Sequence, residues 1–242
     1  MLYGDVDPSG RLPYTIAYTA THYDFAPITT NIAMMGKDDW QSYFNEKLEI
    51  DYRYFDAHNV SVRYEFGYGL SYMTFELSDL QISEASPSTI ITAFAAEQPT
   101  TPGGSPDLWI PLYKAEVTVC HTGSATGSTV AQLYLTFPKR APAGTPIQQL
   151  RGFDKIALDA ELLRQDISYW DTEVQHWRIP EGVFKVSVGF SSRDLVGAIA
   201  GKRSNGLTEC GGLARKGIGD GLGIRAYLLK IALMLISFLA HC

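Results

Sequence analysis

Strict two-residue alternation of apolar and polar side chains is the feature that most limits how this chain can fold. From Tyr113 to Cys120 the odd positions Tyr113, Ala115, Val117 and Val119 are apolar, with Lys114, Glu116 and Thr118 between them. Ala131, Leu133, Leu135 and Phe137 alternate with Gln132, Tyr134 and Thr136, and Phe184, Val186, Val188 and Phe190 repeat the pattern. Successive strand side chains point to opposite faces, so such runs are strands with one face in a core and one in water. Turn formers at Thr122-Gly123-Ser124 and Pro180-Glu181-Gly182 separate them. Residues 109–195 are therefore expected to form a sandwich of two β-sheets.

The flanking parts lack this regularity. Residues 1–82 hold ten of the 14 tyrosines. Pro13 confines the run Arg11 to Ile16 to an edge or a strand start, and residues 17–45 show no period, as expected of a segment draped over a partner domain. Residues 83–108 contain no Lys or Arg but carry Pro87, Pro99, Pro102, Pro106 and Gly103-Gly104, the composition of a linker or long loop. Residues 196–242 place nine glycines between Val196 and Arg225, then an apolar run, and look foreign to what precedes.

Composition excludes several classes of function. A 45% hydrophobic and 19% charged chain supplies a core and does not describe a disordered protein. The net charge is −6 and no basic cluster exceeds a pair, so no nucleic-acid partner is expected. Cys120, Cys210 and Cys242 lack metal-ligand spacing, and His22, His58, His121, His176 and His241 are scattered singly; no metal and no cofactor are expected. The start at Met1 has no basic or apolar leader, so no signal peptide is expected in this chain. Tyr227 to Ala240 is shorter than the ~20 residues of a spanning helix, so no membrane partner is expected.

Several runs carry a family likeness. Asp7-Pro8-Ser9-Gly10-Arg11-Leu12-Pro13, Ile50-Asp51-Tyr52-Arg53-Tyr54-Phe55-Asp56 and Phe66-Gly67-Tyr68-Gly69-Leu70-Ser71-Tyr72 resemble, in order and spacing, the C-terminal third of fungal glycoside hydrolase family 3 β-glucosidases. Gln149-Leu150-Arg151-Gly152-Phe153, Asp166-Ile167-Ser168-Tyr169-Trp170-Asp171 and Ser191-Ser192-Arg193-Asp194 are similar to the fibronectin type III-like domain that closes those enzymes. The resemblance implies a mainly β fold: a fibronectin type III-like (immunoglobulin-like) sandwich over residues 109–195, preceded in residues 1–82 by an irregular remnant of an α/β sandwich domain. It implies a complete, secreted enzyme that removes terminal non-reducing glucosyl residues from β-glucosides or cello-oligosaccharides in cellulose breakdown. Met1 then reads as an internal methionine or a mis-assigned gene start. The alternative is a non-catalytic structural or interaction module.

Retaining glycosidases need two carboxyl groups ~5 Å apart, and neither of the family's catalytic segments matches anything in this sequence. No catalytic or substrate-binding residue is therefore expected, and the chain alone is expected to be inactive. Asp38-Asp39-Trp40 mimics the family's nucleophile context but follows Gly36-Lys37 in a polar, irregular stretch, and reads as a loop. Asp51, Arg53 and Asp56 read as orienting a domain-spanning extended run, with Asp51 and Arg53 on one side. Lys47 stands where the family has glycine, putting in doubt a turn that needs positive φ. His121 reads as a surface-turn residue. Trp170 and Trp177 flank a hairpin, and their aromatic size points to the core more than to a sugar platform. Asn59-Val60-Ser61 is an N-glycosylation acceptor triplet if the parent is secreted.

Two departures from the family stand out. The segment between Leu158 and Leu163 is short by roughly one strand of ~5–6 residues plus its turn, so an exposed apolar face is expected there. The residues after Asp194 read as translated intron or shifted-frame sequence rather than as a lipid-anchor signal. Residues 1–82 are expected to stay extended and poorly packed, and cleavage is expected within residues 83–108.

Overall fold

The computed structural model describes residues 6–23, 46–85, 91–95, 102, 104–155 and 158–202. The Asp38-Asp39-Trp40 run, Cys210, Cys242, His241 and the apolar C-terminal stretch lie outside them. Two antiparallel sheets face each other. One holds β3 (Phe75–Glu84), β4 (Pro111–His121) and β7 (Leu158–Leu163) in the order β3-β4-β7. The other holds β5 (Val130–Thr136), β6 (Gln149–Lys155), β10 (Val183–Gly189) and β11 (Leu195–Lys202) in the order β11-β10-β5-β6. Leu112, Ala115, Val117, Leu158 and Leu162 from the first sheet meet Ala131, Leu133, Leu135, Val186 and Val188 from the second in one buried cluster. Ala115, Val117, Ala131, Leu133, Leu135, Val186 and Val188 are residues that alternation assigns to the inner face, and Leu112, Leu158 and Leu162 join them, as a fibronectin type III-like sandwich requires.

The first strand of the sandwich lies outside the expected range of residues 109–195. Leu77, Leu80 and Ile82 of β3 break the two-residue rule because the ladder slips between Ser78 and Gln81, where Asp79 takes a positive φ of 54°. This is a β-bulge: one extra residue on β3 swings Leu80 back into the core.

Three further expectations are corrected by the ladders. The stretch from Leu158 to Leu163 is itself a strand paired with β4. Strand β6 ends at Lys155 in one sheet and β7 begins at Leu158 in the other. Residues 195–202 continue the chain as β11, paired along β10 from Val183↔Lys202 to Gly189↔Leu195, so the sequence from 196 onward begins as part of the sheet. Residues 83 and 84 belong to β3, and the described part of the loop that follows is pinned. Ala95 N–H donates to Trp177 O (3.2 Å), Ile179 N–H donates to Ala93 O (2.8 Å), and a buried Arg164–Asp107 ion pair closes at 2.9 Å.

The largest correction concerns residues 6–23 and 46–72, which form a third layer on the outer face of the four-stranded sheet. In this layer β1 (Ile16–Ala17) pairs with β2 (Val62–Tyr64). The run expected to be extended is helix α1 (Tyr52–Ala57), whose Tyr52 and Phe55, three apart, are buried on one side. Because this layer covers it, β5 is buried on both faces from Ala131 to Leu135, and Gln132 and Tyr134 do not meet water.

Candidate functional site

The site with the densest polar chemistry is the seam between this layer and the four-stranded sheet. Tyr134 Oη donates to Gln132 Oε1 (2.6 Å), and Gln132 Nε2 donates to Gly67 O (3.1 Å) and Phe190 O (2.8 Å). Burial pushes the Tyr134 hydroxyl far above the ordinary tyrosine range, so it remains a donor at any working pH. Gly67 sits at φ 79°, and a Cβ there would fall 2.2 Å from Gln132 Oε1, so both its conformation and its space demand glycine. The Tyr52 ring lies 4.8 Å from Phe66 and edge-on to Tyr134 at 6.1 Å, while its hydroxyl accepts Leu150 N–H at 2.9 Å.

Around this centre the ionised side chains act as clamps. Asp51 accepts Thr15 N–H (2.8 Å) and Oγ1–H (2.9 Å), tying the start of α1 to the segment before β1. Asp56 accepts Arg193 Nε (3.1 Å) and Nη2 (3.0 Å) at Oδ1 and Gln148 Nε2 (3.1 Å) at Oδ2. Arg193 also donates to Val60 O (3.0 Å). Ser191 Oγ donates to Glu65 (2.7 Å), and Ser192 N–H donates to Phe66 O (2.9 Å). Arg11 donates to Phe190 O (3.1 Å) and bonds Thr129 Oγ1, and Asp7 accepts Ser71 Oγ and Tyr72 N–H. The runs around Asp7, Asp51, Phe66 and Ser191, far apart in sequence, thus meet at one seam.

Asp51 and Asp56 orient the segment as expected, but through a helix, and they do not face one another across an open space. Arg53 does not join them; its guanidinium lies over the Tyr52 ring at 5.7 Å. Sequence reasoning missed Gln132 and Tyr134, which alternation sends to the water face. The available signal was a bulky tyrosine among the outward positions of a central strand, a poor fit to open solvent.

Beside the seam runs a groove of about 650 Å³ between residues 46–49, the loop at residues 142–145 and the hairpin of β8 (Tyr169–Asp171) and β9 (His176–Arg178). Trp170 and Trp177 pair across this hairpin with ring centroids 5.8 Å apart, and Trp170 is 44% exposed, so it is not the core residue its size suggested. Arg151, held by Asp166 at 3.4 Å, supplies polar lining. His121 ends strand β4, exposed, against the ring of Phe75. Among the described residues, no cluster of three or more His, Cys, Asp or Glu could hold a metal ion, and no helix is long and apolar enough to cross a membrane.

Two changes at this seam have defined outcomes. Lys47 adopts φ 52°, the left-handed region expected of the glycine it replaces, which costs a side-chain-bearing residue about 1 kcal/mol. Lys47→Gly should therefore raise the free energy of urea unfolding by up to that amount. Asp56 titrates above the ordinary aspartate value because burial outweighs the pull of Arg193. The folded state then holds this proton more tightly than the unfolded state. The stability contributed by Asp56 is full below the ordinary value and declines as pH rises through the raised one. Stability relative to Asp56→Asn, followed by urea unfolding at a series of pH values, should fall with rising pH across that window and level off above it.

Comparison with known proteins agrees with this geometry. A fibronectin type III-like domain profile matches residues 129–192. The probable β-glucosidase G of Aspergillus flavus is 57% identical over 203 residues, covering 81% of this chain and 24% of that protein. The probable β-glucosidase L of Neosartorya fischeri is 45% identical over 203 residues, covering 81% of this chain and 25% of its own length. The crystal structure of β-D-glucoside glucohydrolase from Trichoderma reesei superposes with a TM-score of 0.71 at 40% identity, over 84% of this chain and 27% of that one. A glycoside hydrolase family 3 β-glucosidase from Neurospora crassa superposes at 0.66 with 28% identity, over 86% and 33%. The chain spans about a quarter of the length of the curated relatives it matches. It belongs to the C-terminal, fibronectin type III-like region of the glycoside hydrolase family 3 β-glucosidases.

Proposed function

We propose that this chain is the scaffold end of a β-glucosidase whose catalytic part precedes it, and that the complete enzyme hydrolyses terminal β-glucosyl residues of β-glucosides or cello-oligosaccharides outside the cell. The observation that carries the reading is the outer surface of the third layer. Tyr14, Tyr18, Leu70 and Tyr72 are exposed there, Leu70 by 69%. Beside them an apolar groove of about 500 Å³ is lined by Leu12, Ile16, Tyr64, Tyr68 and Leu70. A large apolar patch of this kind marks a surface built for a partner, and the relatives, more than three times as long, supply one within the same polypeptide. In this reading strands β3 to β7, β10 and β11 are the sandwich, and residues 6–23 and 46–72 are the connecting layer between it and the catalytic part.

The test is complementation. The chain alone should not hydrolyse an aryl β-glucoside. Co-expression with the preceding part of the Aspergillus flavus relative should restore hydrolysis, and Leu70→Asp should weaken that restoration without lowering the chain's own melting temperature. Turnover by the chain alone, or two folded pieces that never associate, would contradict the proposal.

A further inference from the structure

We propose that Asn59 carries an N-linked oligosaccharide when this protein is made through a secretory pathway. Asn59-Val60-Ser61 is the single Asn-x-Ser/Thr triplet in the 242 residues. It lies in the turn between α1 and β2, and Asn59 and Ser61 are both exposed. Asn59 itself has a structural reason to be there. It takes φ 51° just past the C-terminal cap of α1, its N–H donating to Asp56 O (3.2 Å) while Val60 N–H donates to Phe55 O (2.9 Å). Asparagine tolerates that left-handed conformation.

Ser61 has no such reason. Its hydroxyl forms no hydrogen bond among the described residues, nor does the Asn59 side-chain amide. The pair is what a glycosyl transferase reads and what the described residues leave unused. The buried face of α1, Tyr52 and Phe55, points into the molecule, and Arg193 fixes the turn through Val60 O. The glycan would therefore stand on a rigid, outward turn.

The co-substrate is a lipid diphosphate-linked oligosaccharide. Asn59 Nδ2 forms the bond to the sugar C1 as the bond from C1 to the diphosphate oxygen breaks. The lipid diphosphate leaves, and the Nδ2 proton passes to a base on the transferase. A glycan at this turn also requires that the turn face solvent in the complete enzyme, so the catalytic part must sit elsewhere on the layer.

The full chain, translated behind a cleavable leader lacking the triplet in the presence of endoplasmic-reticulum microsomes, gives the readout. Leader removal reports entry, and a slower-migrating form that collapses on endoglycosidase treatment reports modification. Ser61→Ala, which keeps the Asn59 turn, and Asn59→Gly, which keeps its left-handed backbone, should each abolish that form. Amidase release should convert residue 59 to Asp in the peptide map. Leader-cleaved chain with no endoglycosidase-sensitive form, or a form that survives Ser61→Ala, would overturn the proposal.

Discussion

The structure depends on one strand, β5, that is buried on both faces. Once the third layer covers β5, every polar group on its outer side must find a protein partner, because an unpaired buried donor or acceptor costs about 1–3 kcal/mol. Gln132 is the hub of this requirement. It takes the Tyr134 hydroxyl at Oε1 and gives its amide protons to the carbonyls of Gly67 and Phe190, one in the layer and one in the sandwich. The bond to Gly67 O is directional, and it fixes the register of the layer on the sheet more sharply than apolar contact could.

This arrangement gives the family's fingerprint runs a physical meaning. Asp7, Asp51 and Asp56 are carboxylates in runs that resemble a glycosidase family, and so invite a catalytic reading. Each instead accepts bonds that tie separate segments together: Asp7 to Ser71, Asp51 to Thr15, Asp56 to Arg193 and Gln148. Arg193 stands in the turn between β10 and β11 and Arg11 before β1, and both reach across the seam. Together these residues join the layer to the sandwich, which gives the specific sequence of these runs a structural role.

Legibility in the sequence followed periodicity. The inner faces of β4, β5 and β10 could be read because their surroundings are simple, core on one side. Strand β3 could not, because the bulge at Asp79 moves its apolar residues out of step. The layer escaped for a different reason. Tyr52, Phe55 and Phe66 have no periodic partner in their own segment; they are received by the outer face of a sheet far downstream, as Tyr52 against Tyr134 shows. Strand β11 was hidden by glycine and alanine, which carry little apolar signal, yet its backbone completes the ladder of β10. The left-handed turn at Lys47 was legible only through the resemblance, since nothing in a lysine announces positive φ.

The central claim is that layer and sandwich form one cooperative unit rather than a folded domain with a loose extension. Native-state hydrogen exchange with fragment-level resolution tests it most directly. The amides of Gly67, Leu12, Leu150 and Ser192, which bond within or across the seam, should exchange through the same opening that releases the amides of β5 and β10. If Gly67 and Leu12 exchange freely while β5 stays protected, the layer is an independent, weakly held segment and the account fails.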